Sequence, residues 1–147
     1  MWAYYAESHR GCVLEFDTAH PFFANNRGLT RVRYESSRPV HRYGGSGDWA
    51  YQKSKEWEHE AEWRMMGELS TLEKSGTDHH GNAIYLASFP PEALTAIYLC
   101  IRMSADDIQR YEELVRKPNR QHIKLSKVRP DPEHFALCFD PHLTVSG

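Results

Sequence analysis

The chain has 147 residues, 18 basic against 20 acidic side chains for a net charge of -2, with 40% hydrophobic and 26% charged residues. That length suits one ordinary domain spanning residues 1–147. Near-neutrality without a basic block removes the electrostatic footprint of a non-specific nucleic-acid binder, so no nucleic-acid partner is expected. The longest apolar runs fall far short of the roughly 20 residues that span a bilayer, and MWAYYAESHRG lacks the basic start and apolar core of a secretion signal. The expectation is a protein without membrane association. Cys12, Cys100 and Cys138 form neither a disulfide framework nor a Cys-x-x-Cys pair. Each sits in an apolar run and reads as a small buried thiol, which points to the reducing cytoplasm.

In chain order, Met1 to Arg10 reads as a short helix closed by Gly11. CVLEFD alternates Cys12, Leu14 and Phe16 with Val13, Glu15 and Asp17 and predicts a strand with one apolar face. Thr18 to Gly28 is a loop with room for a single turn, and TRVRYE is a second half-exposed strand. The stretch from Ser36 to Trp49 carries Gly44, Gly45 and Gly47 and reads as a mobile loop. Asp48 caps a predicted helix over Trp49 to Ala61, followed by a strand from Glu62 to Gly67. KSGTDHHGN reads as a turn and AIYLASF as a strand, stopped by Pro90 and Pro91. Ala96 to Arg102 is the most apolar strand and the natural centre of the sheet. Ser104 with Asp107 resembles a capping box, opening a helix to about Arg116 whose apolar face carries Ile108, Tyr111, Leu114 and Val115. HIKLSKV and HFALCFD close the pattern as two strands joined by a proline-rich turn. The sum is an α/β (α+β) fold, a mixed, largely antiparallel sheet of about seven strands with about three helices packed on it.

Chemistry concentrates in KSKEWEHEAEWRMM, where Glu56, Glu58, Glu60 and Glu62 recur at every second position between Trp57 and Trp63. A continuous strand would stack four like charges on one face, so the segment is expected to be helical up to Ala61. Glu60 would then lie one helical turn before Arg64. Beyond Ala61, Glu62, Arg64 and Met66 would point to one side of a strand and Trp63 and Met65 to the other. A half-buried Arg64 requires a carboxylate, for which Glu60, Glu62, Glu15 and Asp17 are the candidates. Glu62, Glu60 and Arg64 are therefore the candidate catalytic residues, and Trp57, Tyr5 and Glu15 the candidate ligand-binding residues. A carboxylate flanked by tryptophans can be tuned for general-base work or for gripping a ligand hydroxyl. The nine histidines are scattered and show no His-x-x-x-His or HExxH spacing, so no metal site is expected.

The opening MWAYYAESHRGCVLEFD, then VRYE, then K-x-x-x-W-E-x-E-x-E-W-R at Lys53 to Arg64, then AIYLCIRMSADD, resemble the mainly bacterial domain-of-unknown-function family 2971 from residue 1 to about residue 140. The resemblance implies an upstream region with a His-Tyr strand and an Asn-Asp-Pro-like turn, so this chain reads either as a shortened member or as the C-terminal part of a longer family domain. It attaches no activity.

Three kinds of function fit these residues. Glu60-Ala61-Glu62 is similar to the Glu-x-Glu element of ADP-ribosyltransferases, which would make NAD the cofactor and Tyr34 or Tyr5 the stacking aromatic; otherwise no cofactor is expected. Cleavage of the nicotinamide bond develops an oxocarbenium-like centre that a fixed carboxylate stabilises. A metal-dependent hydrolase would need ligand spacing that the histidines lack. A non-catalytic interaction module would use Trp2, Tyr4, Tyr5, Trp49, Tyr51, Trp57 and Trp63 to meet a protein partner or a second copy of the chain, a homo-oligomer.

Overall fold

In the computed structural model, which describes residues 2–25, 28–38 and 48–145, the chain folds into two compact units, Met1–Asp17 with Phe89–Gly147, and Thr18–Ser88. Three α-helices and ten strands are present among the described residues, an α+β fold. The strands are shared between one mixed four-stranded sheet and three two-stranded ladders.

The first unit holds the four-stranded sheet, in the order β1 (Cys12–Phe16), β8 (Leu94–Leu99), β9 (Lys124–Pro130), β10 (Leu137–Val145). β1 and β8 are antiparallel, β8 and β9 parallel, and β9 and β10 antiparallel. The parallel pair is joined through α3 (Ala105–Val115), as parallel strands need a crossover. Ser104 caps that helix by accepting the Asp107 N–H at 3.1 Å, as the sequence predicts. AIYLCIR indeed lies inside the sheet, although its strand starts two residues earlier and stops at Leu99. The core is Leu94, Ile97, Leu99, Met103, Val115, Ile123 and Leu125, and Cys12 and Phe16 pack against it from β1. Leu14, expected on that same inward face, is 40% exposed because β1 is the sheet's edge.

The first predicted helix is shorter than expected: α1 covers Trp2–Tyr5. Glu7, Ser8 and His9 turn left-handed, at φ of 49°, 54° and 68°, which ends the helix. The turn brings the His9 and Gly11 carbonyls to the N–H groups of Arg102 and Cys100, at 2.9 and 3.1 Å. All three cysteines are free thiols; Cys100 is buried, whereas Cys12 and Cys138 are only half-buried.

In the second unit, the single turn allowed for in the first loop is α2 (Pro21–Asn25). TRVRYE splits into β2 (Thr30–Arg31) and β3 (Arg33–Glu35) on either side of buried Val32. The helix predicted over Trp49 to Ala61 does not form. In its place are a 3-10 turn (Asp48–Tyr51), β4 (Gln52–Ser54), a second 3-10 segment (Lys55–Glu60) and β5 (Trp63–Arg64). The reason is tertiary: β4 pairs in parallel with β3, and β5 pairs antiparallel with β2. The expected strand from Glu62 to Gly67 is accordingly only β5. The predicted KSGTDHHGN turn is tighter than expected, since β6 (Glu73–Thr77) runs into it and pairs with β7 (Ala83–Leu86). Most of the loop predicted from Ser36 to Trp49, including its three glycines, lies outside the described residues. No helix among the described residues is long and apolar enough to cross a membrane.

Candidate functional site

Four of the predicted site residues meet in the second unit. The strand pairings explain how. In the β3–β4 register Tyr34 stands opposite Lys53, and in the β2–β5 register Arg31 stands opposite Trp63. The Val32 N–H donates to the Glu62 carbonyl at 2.9 Å between these two short ladders. One continuous stretch, residues 30–35, therefore holds both ends of the acidic segment.

Between those ends the backbone has to turn sharply. The 3-10 segment closes with Ala61 in the left-handed region, at φ 47° and ψ 44°, its N–H donating to the Glu58 carbonyl. Three residues per turn bring Trp57 and Glu60 to the same side of the segment. Lys53 answers both: its ammonium lies 5.0 Å from the Trp57 ring centroid and bonds the Glu60 carboxylate. Glu60 is buried, with its side chain 4% exposed. A carboxylate at that depth needs a cation, and Lys53 supplies it. The predicted partnership between Glu60 and Arg64 is thereby corrected, because without an α-helix the two are not one turn apart.

Arg64 instead pairs with Glu62, as their shared strand face anticipates. Its Nε donates to Glu62 Oε1 at 2.6 Å and a terminal nitrogen to Oε2 at 3.0 Å, a two-point fork. A further guanidinium N–H bonds the Ala50 carbonyl. Lys53 adds a contact to Glu62 Oε2 at 3.3 Å, and the Glu62 backbone N–H donates to the Tyr34 hydroxyl at 2.7 Å. The Arg64 fork, with help from Lys53, holds the Glu62 carboxyl below its ordinary range. The same contacts push Arg64, through Glu62, and Lys53, through Glu60, above their ordinary values. A carboxylate stabilised in its anionic form is a weaker base than a free one. The site therefore suits electrostatic stabilisation of a positive centre, or acceptance of a hydroxyl's hydrogen bond, better than proton abstraction.

The indoles on this frame face outward. Trp57 is 38% and Trp63 56% exposed, and the Trp57 ring stacks near His59 with centroids 6.1 Å apart.

Tyr5 and Glu15 belong to the first unit. Tyr5 is exposed. Glu15 points from the sheet face opposite the core, where its carboxylate accepts from the Tyr98 hydroxyl at 2.6 Å and the Thr95 hydroxyl at 2.9 Å. Those two bonds, Tyr98 first, hold it below the usual carboxylate range. Lys53 is not among the predicted site residues, and Tyr34, expected only as a stacking aromatic, is found accepting the Glu62 N–H. The available signal is the spacing of three between Trp57 and Glu60, one side of a 3-10 turn, whereas Lys53 lies on β4 and no local spacing marks it. No group of three or more His, Cys, Asp or Glu among the described residues is arranged to hold a metal ion.

Comparison with family models, with curated proteins and with solved structures finds no match to this chain.

Proposed function

We propose that this protein is a non-catalytic interaction module that recognises a cationic segment of a partner protein through the tryptophans and carboxylates of the Glu-x-Glu-Trp-Arg segment. The observation that carries the reading is Trp63. Its indole is 56% exposed between Glu62 and Arg64, two residues whose charges are satisfied by each other. Exposed tryptophan on a rigid base is the side chain that most often dominates protein recognition. From Glu56 to Glu73 the sequence has six glutamates against one arginine. Glu60 and Glu62 are engaged by Lys53 and Arg64, while Glu56, Glu58 and Glu73 lie exposed. An incoming lysine or arginine can pair with such carboxylates and lie over an indole face, as Lys53 does over Trp57. The free thiols of Cys12, Cys100 and Cys138 support a cytoplasmic setting.

The test is a titration of the full chain with a short Lys/Arg-rich peptide and a length-matched Asp/Glu-rich one, followed by indole fluorescence. The basic peptide is expected to bind and the acidic one not, with Trp63→Ala weakening binding about tenfold. Equal binding of both peptides, or indifference to Trp63→Ala, refutes the reading.

A second reading is favoured by one observation, the Glu62 carboxyl held below its ordinary range while its side chain stays 29% exposed. A fixed anion there is what an ADP-ribosyltransferase-like, NAD-using enzyme would aim at the nascent ribosyl cation. Release of nicotinamide from NAD, abolished by Glu62→Gln, would establish it; no release by the wild-type chain sinks it.

A further inference from the structure

Among the described residues the β6–β7 hairpin is a two-stranded ladder, and its two outer edges differ in kind. β6 carries Glu73 and Lys74, and its register with β7 slips between Lys74 and Gly76, where Gly76 takes φ 147°. Charges and bulges are the devices by which natural sheets blunt an edge against further pairing. β7 has neither. From Asn82 to Ser88 the sequence is NAIYLAS, without a charged residue, and every one of these residues is exposed. Ile84, Tyr85 and Leu86 keep 41%, 39% and 53% of their surface. A hairpin of two strands is marginal by itself, whereas three or more strands hold together.

We infer that β7 is an interface with a second copy of this chain, the two β7 strands pairing antiparallel about a two-fold axis at Tyr85. Because side chains alternate between faces, residues that meet across such an axis lie an even number of positions apart. Centred on Tyr85, the register sets Ile84 against the partner's Leu86, Tyr85 against the partner's Tyr85, Ala83 against the partner's Ala87 and Asn82 against the partner's Ser88. Apolar meets apolar and polar meets polar. Centred on Ile84 it would set Asn82 against Leu86, and centred on Leu86 it would set Ile84 against Ser88. An uncharged strand also meets its own copy without placing like charges opposite each other. The product is a four-stranded sheet in the order β6, β7, β7, β6, with the charged, irregular β6 strands at both outer edges. It therefore closes as an isologous dimer and does not grow into a fibre. That closure selects a second copy over an unrelated strand, which would bring an edge of its own. The contact is small, so the association is weak. It goes beyond the cationic-partner reading, whose residues lie on the Lys55–Glu60 segment and around β5, and does not depend on it.

Sedimentation velocity on the full chain between about 1 and about 100 μM tests the inference. The wild type is expected to pass from monomer to dimer across that range. Tyr85→Lys and Tyr85→Glu, at an exposed position, each set like charges against each other at the axis and should weaken the dimer at least about tenfold. Mixed in equal amounts, the two variants should associate more tightly than either alone, since the heterodimer sets lysine against glutamate. That recovery would also show that both variants keep the hairpin. A wild type that stays monomeric throughout, or grows past the dimer, overturns the inference. So does a dimer that both variants leave as tight as before, which would place the contact elsewhere, and so does a mixture no tighter than the separate variants, which would refute the register at Tyr85.

Discussion

Replacing Arg64 by alanine removes more than one charge. The guanidinium makes two bonds to Glu62, at 2.6 and 3.0 Å, and a third to the Ala50 carbonyl. Both partners of the ion pair keep about 30% of their side-chain surface. The pair therefore belongs near the upper end of surface pairs, about 1 kcal/mol after screening. Ala50 is buried, and its carbonyl would lose that donor at a cost of about 1–3 kcal/mol. The expected loss is about 2–4 kcal/mol. Urea unfolding followed by tryptophan fluorescence reads it selectively, because three of the four tryptophans, Trp49, Trp57 and Trp63, lie in the Thr18–Ser88 unit. The acid dependence supplies a second readout. The folded Glu62 carboxyl sits below its ordinary value of 4.5, so its stabilising contribution is complete above about pH 4.5 and is lost as pH falls through the lower folded value. Arg64→Ala should flatten that acid limb. A variant within about 0.5 kcal/mol of the wild type, with its acid limb unchanged, would refute the argument that the fork holds β5 to the 3-10 turn.

Two further outcomes follow from backbone and side-chain geometry elsewhere. Ala61 occupies the left-handed region, at φ 47°, where a Cβ costs about 1–2 kcal/mol. Ala61→Gly should relieve that strain, offset in part by the freer unfolded chain, and raise the unfolding midpoint by the equivalent of up to about 1 kcal/mol. A lower midpoint would mean that the methyl group contributes packing that outweighs the strain. In the first unit the Tyr111 hydroxyl lies 3.3 Å from the Cys12 sulfur. That contact, then burial, pushes its ionisation up to about 12. The raised value means stability that is complete below pH 10 and lost as pH rises through about 12. Spectrophotometric titration should find one tyrosine ionising near 12, missing in Tyr111→Phe, and its persistence in that variant would contradict the assignment.

The elements legible in the sequence are those specified by neighbours in the chain. Helix α3 is announced by Ser104 and Asp107 and by an apolar stripe that repeats at helical spacing, and each of these signals is local. β8 is legible because nearly every position in it is apolar, as suits an inner strand. β6 is not, because all five of its residues, Glu73–Thr77, are exposed, so no alternation marks it and Gly76 reads as turn material. The missing helix over Trp49 to Ala61 has a different origin. Its local composition is compatible with a helix, and what defeats it is the pairing of Gln52–Ser54 with Arg33–Glu35, a non-local contact that propensity cannot register. The same division runs through the candidate site. The Glu62–Arg64 pair follows from two residues on one face of a strand, whereas the Lys53–Glu60 pair depends on the 3-10 segment that the pairing imposes. Tyr5 and Glu15 were assigned by residue type without a spacing to support them, and they lie in the other unit.

The alternating glutamates illustrate why a period alone is ambiguous. Spaced by two, they suggest a strand with four like charges on one face, an arrangement that repels itself. Spaced by four, Glu56 and Glu60 suggest a helix. The observed backbone adopts neither period throughout and gives each carboxylate a separate environment. Glu56 and Glu58 remain exposed on the 3-10 segment, Glu60 turns inward onto Lys53, and Glu62 lies between the left-handed Ala61 and β5, held by Arg64. Repulsion among four glutamates is thus relieved by changing conformation twice within seven residues, with two cations spent on the two carboxylates that leave solvent. The tryptophans follow from the same geometry. Trp57 shares the side of the 3-10 turn that Lys53 covers, while Trp63 alternates with Glu62 and Arg64 and so must face away from their ion pair. An indole placed opposite a satisfied ion pair, on a strand only two residues long, has little protein left to bury it, which is why its exposure is a consequence of the fold and available for recognition.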